Sequence, residues 1–202
     1  MKTQIKIAIA ALVLASFAFE GCKKGENDPA ISLLTRKARM TGDWTVSSGS
    51  GTETSGNTTT TWTHNGATFS ETDISGTNSF GYVVTMSFVK DGTYKIVKTI
   101  TLPNVTGYSD VITETGTWNF TGKIGEDKNK DHILLKTLSE TDVMTVNSNV
   151  QTTVRSYTGD SAPTMLYYLD QLKSKEVILT WDGTDTYNTL VNTTKGTWTL
   201  TQ

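Results

Sequence analysis

The chain has one cysteine, two histidines and three prolines among its 202 residues, and each scarcity excludes a class of protein. A single cysteine cannot form a disulfide within the chain, so a disulfide-rich scaffold is excluded. The two histidines, His64 and His132, do not have metal-ligand spacing, and no Gly-x-Ser-x-Gly nucleophile motif occurs. The sequence therefore predicts a protein that is not an enzyme and that uses no metal and no cofactor.

Charge is also scarce, because the formal net charge is only −2. This balance is too weak in basic residues for a nucleic-acid surface and too weak in acidic residues for a disordered acidic tail. We expect no nucleic-acid partner and a monomeric chain. A length near 200 residues suits one domain with a sizeable core.

One segment imitates a metal site. The run Asp127-Lys128-Asn129-Lys130-Asp131 has the alternating oxygen ligands of a calcium loop. His132 stands where that loop needs glycine, and Leu138 stands where it needs a bidentate glutamate. Two lysines also oppose a cation, so we predict a hairpin turn here and no metal.

The N-terminus carries the features of a secretory signal. Lys2 and Lys6 precede an uncharged run from Ile7 to Phe19, which is shorter than the roughly 20 residues that span a bilayer. The run meets Gly21-Cys22, and this junction resembles the lipobox of bacterial lipoproteins. The alternative is an ordinary signal peptide followed by an unmodified thiol.

The resemblance to lipoproteins implies cleavage before Cys22 and acylation of its thiol, with palmitate among the attached chains. It divides the chain into a signal peptide (residues 1–21), an acylated tether (residues 22–28) and a domain (residues 29–202). The stretch Lys23 to Asp28 resembles the tether of surface lipoproteins in Bacteroidetes-type bacteria. The resemblance therefore implies a lipid bilayer as partner and an outer-membrane location, on the periplasmic face or at the cell surface.

Threonine is abundant, at 39 residues, and this excess favours strands over helices. The one helix predicted runs from Pro29 to about Met40, with Asp28 as its cap. Basic residues Arg36, Lys37 and Arg39 crowd its end. They are expected either to be solvated or to contact anionic lipid headgroups.

The rest of the domain reads as antiparallel strands. Tyr82–Phe88 and Tyr94–Ile100 alternate about an Asp91-Gly92 turn, with lysines expected on the outer side of the second strand. Segments 48–60 and 71–79 are predicted as loops, and Asp182-Gly183 is predicted to end a strand. Eight to ten strands in sequence order predict an all-β, up-and-down antiparallel barrel with a short N-terminal helix.

A Gly-x-Trp tripeptide occurs three times, at Gly42, Gly116 and Gly196. Together with Asp91-Gly92-Thr93-Tyr94 and the lipobox, this pattern resembles the lipocalin-like lipoproteins of Bacteroidetes-type bacteria. The resemblance implies a barrel that binds a small hydrophobic ligand. The candidate lining residues are the large inward side chains of the predicted strands: Tyr82, Val84, Met86, Phe88, Tyr94, Ile96, Phe120, Leu135, Tyr167 and Leu169.

Two functions remain open at this point. The first is a non-catalytic, membrane-anchored module that binds a small apolar ligand inside its barrel. The second is a surface structural or interaction protein whose barrel is packed solid and whose loops contact glycan or protein. Trp62 and His64 lie beside such a loop, but the sequence predicts no aromatic platform.

Overall fold

The structure is a computed structural model, and it describes residues 28–29, 34–127, 131–187 and 190–202. The predicted signal peptide, Cys22 and the tether up to residue 27 lie outside the described residues. So does the middle of the calcium-like segment, residues 128–130. Within the described ranges, no helix has the length and apolar character needed to cross a bilayer.

The described residues form one short helix, a single 3₁₀ turn and eleven strands. The helix is α1 (Arg36–Met40), and the 3₁₀ turn is Gly159–Ser161. The strands are β1 (Gly42–Ser55), β2 (Thr58–His64), β3 (Thr68–Asp73), β4 (Gly76–Phe88), β5 (Thr93–Thr101), β6 (Ser109–Phe120), β7 (His132–Val146), β8 (Asn149–Ser156), β9 (Thr164–Leu172), β10 (Glu176–Tyr187) and β11 (Leu190–Thr201).

Antiparallel pairing closes these strands into a barrel. Strands β1 to β7 pair in sequence order, β7 then pairs with β9, and β11 returns to β1. Ten strands form the ring, while β8 is an eleventh strand whose described pairing is with β7. The predicted all-β antiparallel barrel is confirmed.

The two ends of the barrel differ in width. At the end beside α1, which we call the base, residues 42–45 of β1 pair directly with residues 85–88 of β4, so eight strands surround the interior. At the opposite end, the mouth, the hairpin of β2 and β3 separates β1 from β4. Near the base β7 pairs with β9, whereas at the mouth it pairs with β8. No described pairing joins β8 to β10. The wall is therefore closed at the base and open along one side of the mouth.

Large apolar side chains fill the base. The fully buried members are Met40, Trp44, Val46, Phe88, Ile133, Leu169, Leu172, Val177, Leu179 and Leu200. Full burial of each aliphatic or Phe side chain contributes about 1.5–3 kcal/mol to folding. The indole nitrogens of Trp44 and Trp118 donate to the carbonyls of Met40 and Val89, at 2.9 and 3.0 Å. Two of the three Gly-x-Trp tryptophans thus seal the base.

A buried ion network joins α1 to the base. The Asp28 carboxylate has no solvent exposure and lies 3.2 Å from both Arg36 and Arg39. Asp28 also accepts a hydrogen bond from the Leu172 backbone N–H at 2.8 Å, while Arg39 donates to the Leu172 carbonyl at 2.5 Å. Arg36 reaches Asp131 at 3.5 Å. Burial lowers the pKa of Arg36, and the two carboxylates oppose that effect.

The predicted helix differs from the observed one in its start and in the surroundings of its arginines. The helix begins at Arg36 with Thr35 as its N-cap, whose hydroxyl accepts from the Ala38 N–H at 3.1 Å. Pro29 is not helical, and residues 30–33 lie outside the described ranges. The prediction that Arg36 and Arg39 are solvated or face lipid headgroups is wrong, because both side chains are buried and paired with Asp28, and Arg36 also with Asp131.

Three predicted loops or strand ends are also wrong. The predicted loop 48–60 is the paired arms of β1 and β2, and the predicted loop 71–79 is the paired ends of β3 and β4. Cross-strand hydroxyl pairs, such as Thr72 with Thr77 at 2.9 Å, support these polar arms. Strand β10 continues past Asp182-Gly183, because every residue of β10 pairs with β11.

Candidate functional site

The interior is packed at the base and hollow above it. A cavity of about 320 Å³, here called the inner cavity, lies among β4, β5, β6, β7, β9 and β11. Eight-stranded barrels have room for packed side chains or one small ligand, and binding pockets span about 300–1,000 Å³. The inner cavity is therefore at the small end of the range for a ligand site.

Seven of the ten predicted lining residues surround the inner cavity: Tyr82, Val84, Met86, Tyr94, Ile96, Leu135 and Tyr167. The other three lie elsewhere on the same inner face. Phe88 and Leu169 are fully buried in the packed base, and Phe120 packs against that core. Ligand binding by these residues stays a prediction.

The inner cavity also contains polar groups that the prediction left out. Lys98 lies on the same face of β5 as Tyr94 and Ile96, because the three residues occupy every second position of the strand. This face is the inner one, so the prediction that Lys98 lies on the outer side is wrong. Its ammonium pairs with the Glu114 carboxylate across β5 and β6. Burial alone would lower the pKa of Lys98, but the charge and hydrogen bond of Glu114 outweigh burial and raise it. The ion pair therefore places polar groups in the cavity wall while the two opposite charges largely cancel.

Three tyrosine hydroxyls complete the polar lining. Burial raises the pKa of Tyr82, Tyr94 and Tyr167 above the ordinary value, although the Thr137 hydrogen bond partly offsets the effect at Tyr94. The Tyr94 and Thr137 hydroxyls lie 2.8 Å apart. These hydroxyls are neutral at physiological pH and can donate hydrogen bonds without a charge cost.

Above the inner cavity lies a cluster of six half-buried rings, which we call the aromatic cup: Trp62, Phe69, Phe80, Tyr82, Trp181 and Trp198. The Trp62 ring is nearly parallel to those of Phe69 and Trp181, with centroids 5.4 and 5.7 Å apart. The cup surrounds a second cavity of about 440 Å³ and shares Tyr82 and Trp198 with the inner cavity. The expectation of no aromatic platform is wrong.

Glycines in the wall make room for these rings. Gly51 of β1 lies directly opposite Gly196 of β11. A Cβ atom at either position would overlap carbon atoms of the Trp62 ring, and at Gly196 also those of Trp181. The rings therefore lie against bare backbone, which holds them in place on the inner face. The cup depends on glycines that lie opposite aromatic residues on neighbouring strands, such as Gly51 opposite Trp62. These pairs are separated in the sequence, so local sequence patterns did not predict the cup.

The two histidines have structural contacts. A ring nitrogen of His64 lies 2.8 Å from the Tyr82 carbonyl, and its Nδ1 accepts from the Gly66 N–H at 3.3 Å. His132 is buried against the Tyr168 ring, with Nε2 at 3.6 Å from Asp127. Within the part of the chain that is described, no three His, Cys, Asp or Glu side chains converge as a metal site.

A wider groove of about 730 Å³ lies on the outer surface, where β1, β9, β10 and β11 meet the segment before β7. Its walls are outward side chains such as Ser50, Tyr168 and Lys195. None of the predicted lining residues, which all face inward, borders this groove. The inner cavity and the aromatic cup are therefore the stronger candidates for a ligand site.

The chain was compared with protein-family models, curated proteins and solved structures, and none of them matches it.

Proposed function

We propose that this chain is a membrane-anchored, non-catalytic binding protein that holds a small apolar ligand in the inner cavity of its barrel. The observation behind this proposal is the inner cavity itself. Well-packed cores leave few voids larger than a water molecule, whereas this cavity of about 320 Å³ lies at the small end of the size range of ligand pockets. Its walls combine apolar side chains with a few polar groups, which is the usual composition of a ligand site.

The polar groups favour a ligand with one hydrogen-bonding group. The Lys98–Glu114 pair and the Tyr94 hydroxyl face the same cavity as Val84 and Leu135. A ligand that reached the pair could accept from Lys98 or donate to Glu114. A purely hydrocarbon ligand would leave those groups without solvent, which carries a desolvation cost.

The anchor is proposed on the sequence alone. Residues Phe19 to Cys22 resemble a lipobox, and acylation of Cys22 would attach the barrel to the outer membrane. Two or more acyl chains give stable membrane attachment where a single chain is marginal. This anchor is compatible with either the periplasmic face of the outer membrane or the cell surface.

A filling substitution tests the inner cavity. Val84 faces the cavity and is almost fully buried, whereas its neighbour Val83 points outward and is 41% exposed. Val84→Phe should reduce binding of the neutral apolar dye N-phenyl-1-naphthylamine by about 10-fold or more, because the added ring occupies ligand volume. Val83→Phe is the matched control and should bind the dye as the parent does.

The measurement uses the mature chain with Cys22→Ala, so that micelles of acylated protein do not take up the dye. Dye fluorescence gives the affinity, and thermal unfolding verifies that both variants are folded. Native mass spectrometry of the parent should also show a bound small molecule that Val84→Phe lacks. A parent chain that binds no dye and carries no molecule, or a folded Val84→Phe with parental affinity, would contradict the proposal.

A further inference from the structure

The aromatic cup presents apolar surface that the fold does not cover. Its six rings come from β2, β3, β4, β10 and β11, and all of them keep partial solvent exposure. The most fully buried side chains of the protein lie lower, at the base. A contiguous exposed aromatic surface around a 440 Å³ cavity is the kind of patch that marks a binding site.

The rings are held ready for a ligand. Gly51 and Gly196 lie beneath Trp62, and the side chains of Trp62, Trp181 and Trp198 pack on one another with centroids 5.0–5.7 Å apart. His64 adds an edge contact to Trp198 at 5.4 Å. Few rotamers remain open to rings packed in this way, so a ligand would meet a largely preformed surface.

The charge around the cup is negative. Glu53 and Glu71 line its cavity directly, and no described Lys or Arg does so. The register places seven described carboxylates on the inner face of the mouth and the adjoining wall: Glu53, Glu71, Asp73, Asp110, Glu114, Glu140 and Asp142. Two described cations share that face, and each is paired with one of those carboxylates: Lys98 with Glu114 and Arg155 with Glu140.

Crowding among the carboxylates supports the same conclusion. Burial raises the pKa of Asp110, and the hydrogen bond and charge of the neighbouring Asp142 raise it further. A concave surface with an excess of one charge concentrates ligands of the opposite charge. The excess negative charge therefore repels anions at the mouth and attracts cations, whereas a neutral ligand would gain no attraction from it.

We propose that the aromatic cup binds an organic cation, whose apolar part packs on the rings and whose charge lies near Glu53 and Glu71. Ring faces attract cations through their quadrupole, and the two carboxylates add to that attraction. The proposal goes beyond the inner-cavity ligand and does not depend on it. Quaternary ammonium and alkylamine compounds belong to the chemical class that fits.

Three probes with one tail and different head groups test the charge preference. Octyltrimethylammonium, octyl sulfate and octyl glucoside are titrated below their micelle concentrations into the mature Cys22→Ala chain, and calorimetry measures each affinity. The cation should bind about 10-fold more tightly than the sulfate and also more tightly than the glucoside. Equal affinity for all three, or a preference for the glucoside, would overturn the proposal in favour of an unselective or sugar-binding surface.

Charge removal then locates the site. Glu53→Gln with Glu71→Gln keeps the side-chain size and should weaken binding of octyltrimethylammonium by about 5-fold, with little effect on octyl glucoside. The control is Glu126→Gln with Asp160→Asn, which removes the same charge at exposed positions outside the cup. Equal weakening by both double variants would mean that net charge, rather than the cup, attracts the cation, and would overturn the proposal.

Two further variants separate this site from the inner cavity. Trp181→Leu removes a cup ring that does not line the inner cavity, so it should weaken the cation and leave the naphthylamine dye bound. Val84→Phe should do the reverse. If Val84→Phe abolishes cation binding while Trp181→Leu leaves it intact, the cation occupies the inner cavity and the proposal for the cup is refuted.

Discussion

The buried network at Asp28 yields the sharpest stability prediction. Replacing Asp28 by Asn keeps the side-chain volume but removes the negative charge that lies 3.2 Å from both Arg36 and Arg39. Both guanidinium groups have only 4% side-chain exposure. Arg36 keeps Asp131 as a partner at 3.5 Å, whereas Arg39 keeps the Leu172 carbonyl. The variant therefore leaves a buried cation poorly compensated.

Breaking a buried ion pair on one side costs about 3–5 kcal/mol. For a domain of this size, each kcal/mol corresponds to about 2–4 °C in Tm, so Asp28→Asn should lower Tm by about 6–20 °C. The remaining Asp131 contact favours the lower half of that range. Asp160→Asn is the matched control, because this exposed side chain should change stability by less than about 0.5 kcal/mol.

Urea unfolding followed by tryptophan fluorescence is the assay, since urea does not screen charges as guanidinium does. The double variant Asp28→Asn with Arg39→Met should be less destabilised than the sum of the single variants, because it removes both members of one pair. A loss below about 1 kcal/mol for Asp28→Asn, or strict additivity in the double variant, would refute the reasoning that Asp28 joins the chain to the base.

Three further predictions concern the cup, the cavity and the anchor. Gly196→Ala should displace the Trp181 ring, lower stability by about 1–3 kcal/mol and change the near-UV circular dichroism, whereas Gly183→Ala, whose Cβ would meet only a Thr194 hydroxyl at 3.6 Å, should do neither. Because burial raises the pKa of Tyr167 in the folded state, its contribution to stability is complete below the ordinary tyrosine pKa and is lost as pH rises above it. Tyr167→Phe should therefore flatten the fall in Tm above about pH 10, and an unchanged slope would contradict the burial argument. Cys22→Ala should move the full chain from the membrane fraction to the soluble fraction, and continued membrane association would exclude acylation as the anchor.

Local alternation was enough to predict the barrel. Tyr82 to Phe88 and Tyr94 to Ile100 repeat apolar residues at every second position, and a strand with one buried face needs that period. The same kind of pattern identified seven of the fourteen residues around the inner cavity. The prediction that Lys98 lies on the outer side was wrong. Position 98 belongs to the inward series of β5, and the charge of its side chain is balanced there by Glu114.

The parts that could not be predicted depend on residues far apart in the chain. Gly49 and Gly51 lie in a run of Gly, Ser and Thr that is typical of a loop, and only the rings of Trp62 and Trp198 explain why a strand is glycine-rich there. Arg39 likewise belongs to a basic run that is typical of a solvated helix end. Its carboxylate partner Asp28 is 11 positions away, but the Leu172 carbonyl that accepts its other hydrogen bond is 133 positions away, so a local window contains only part of the cause.

With the proposed acyl anchor at Cys22, the fixed position of Asp28 would limit how the protein is oriented on a membrane. Five residues separate the two positions, and the six Cα–Cα steps between them cover at most about 20 Å in an extended chain. Because Asp28 is held at the base, an acyl anchor at Cys22 would keep the base within about that distance of the bilayer. The mouth, with its open side between β8 and β10, would then lie at the end of the barrel away from the lipid. Ligands would exchange with the aqueous phase, and the acyl chains of the membrane would have no direct route into the barrel.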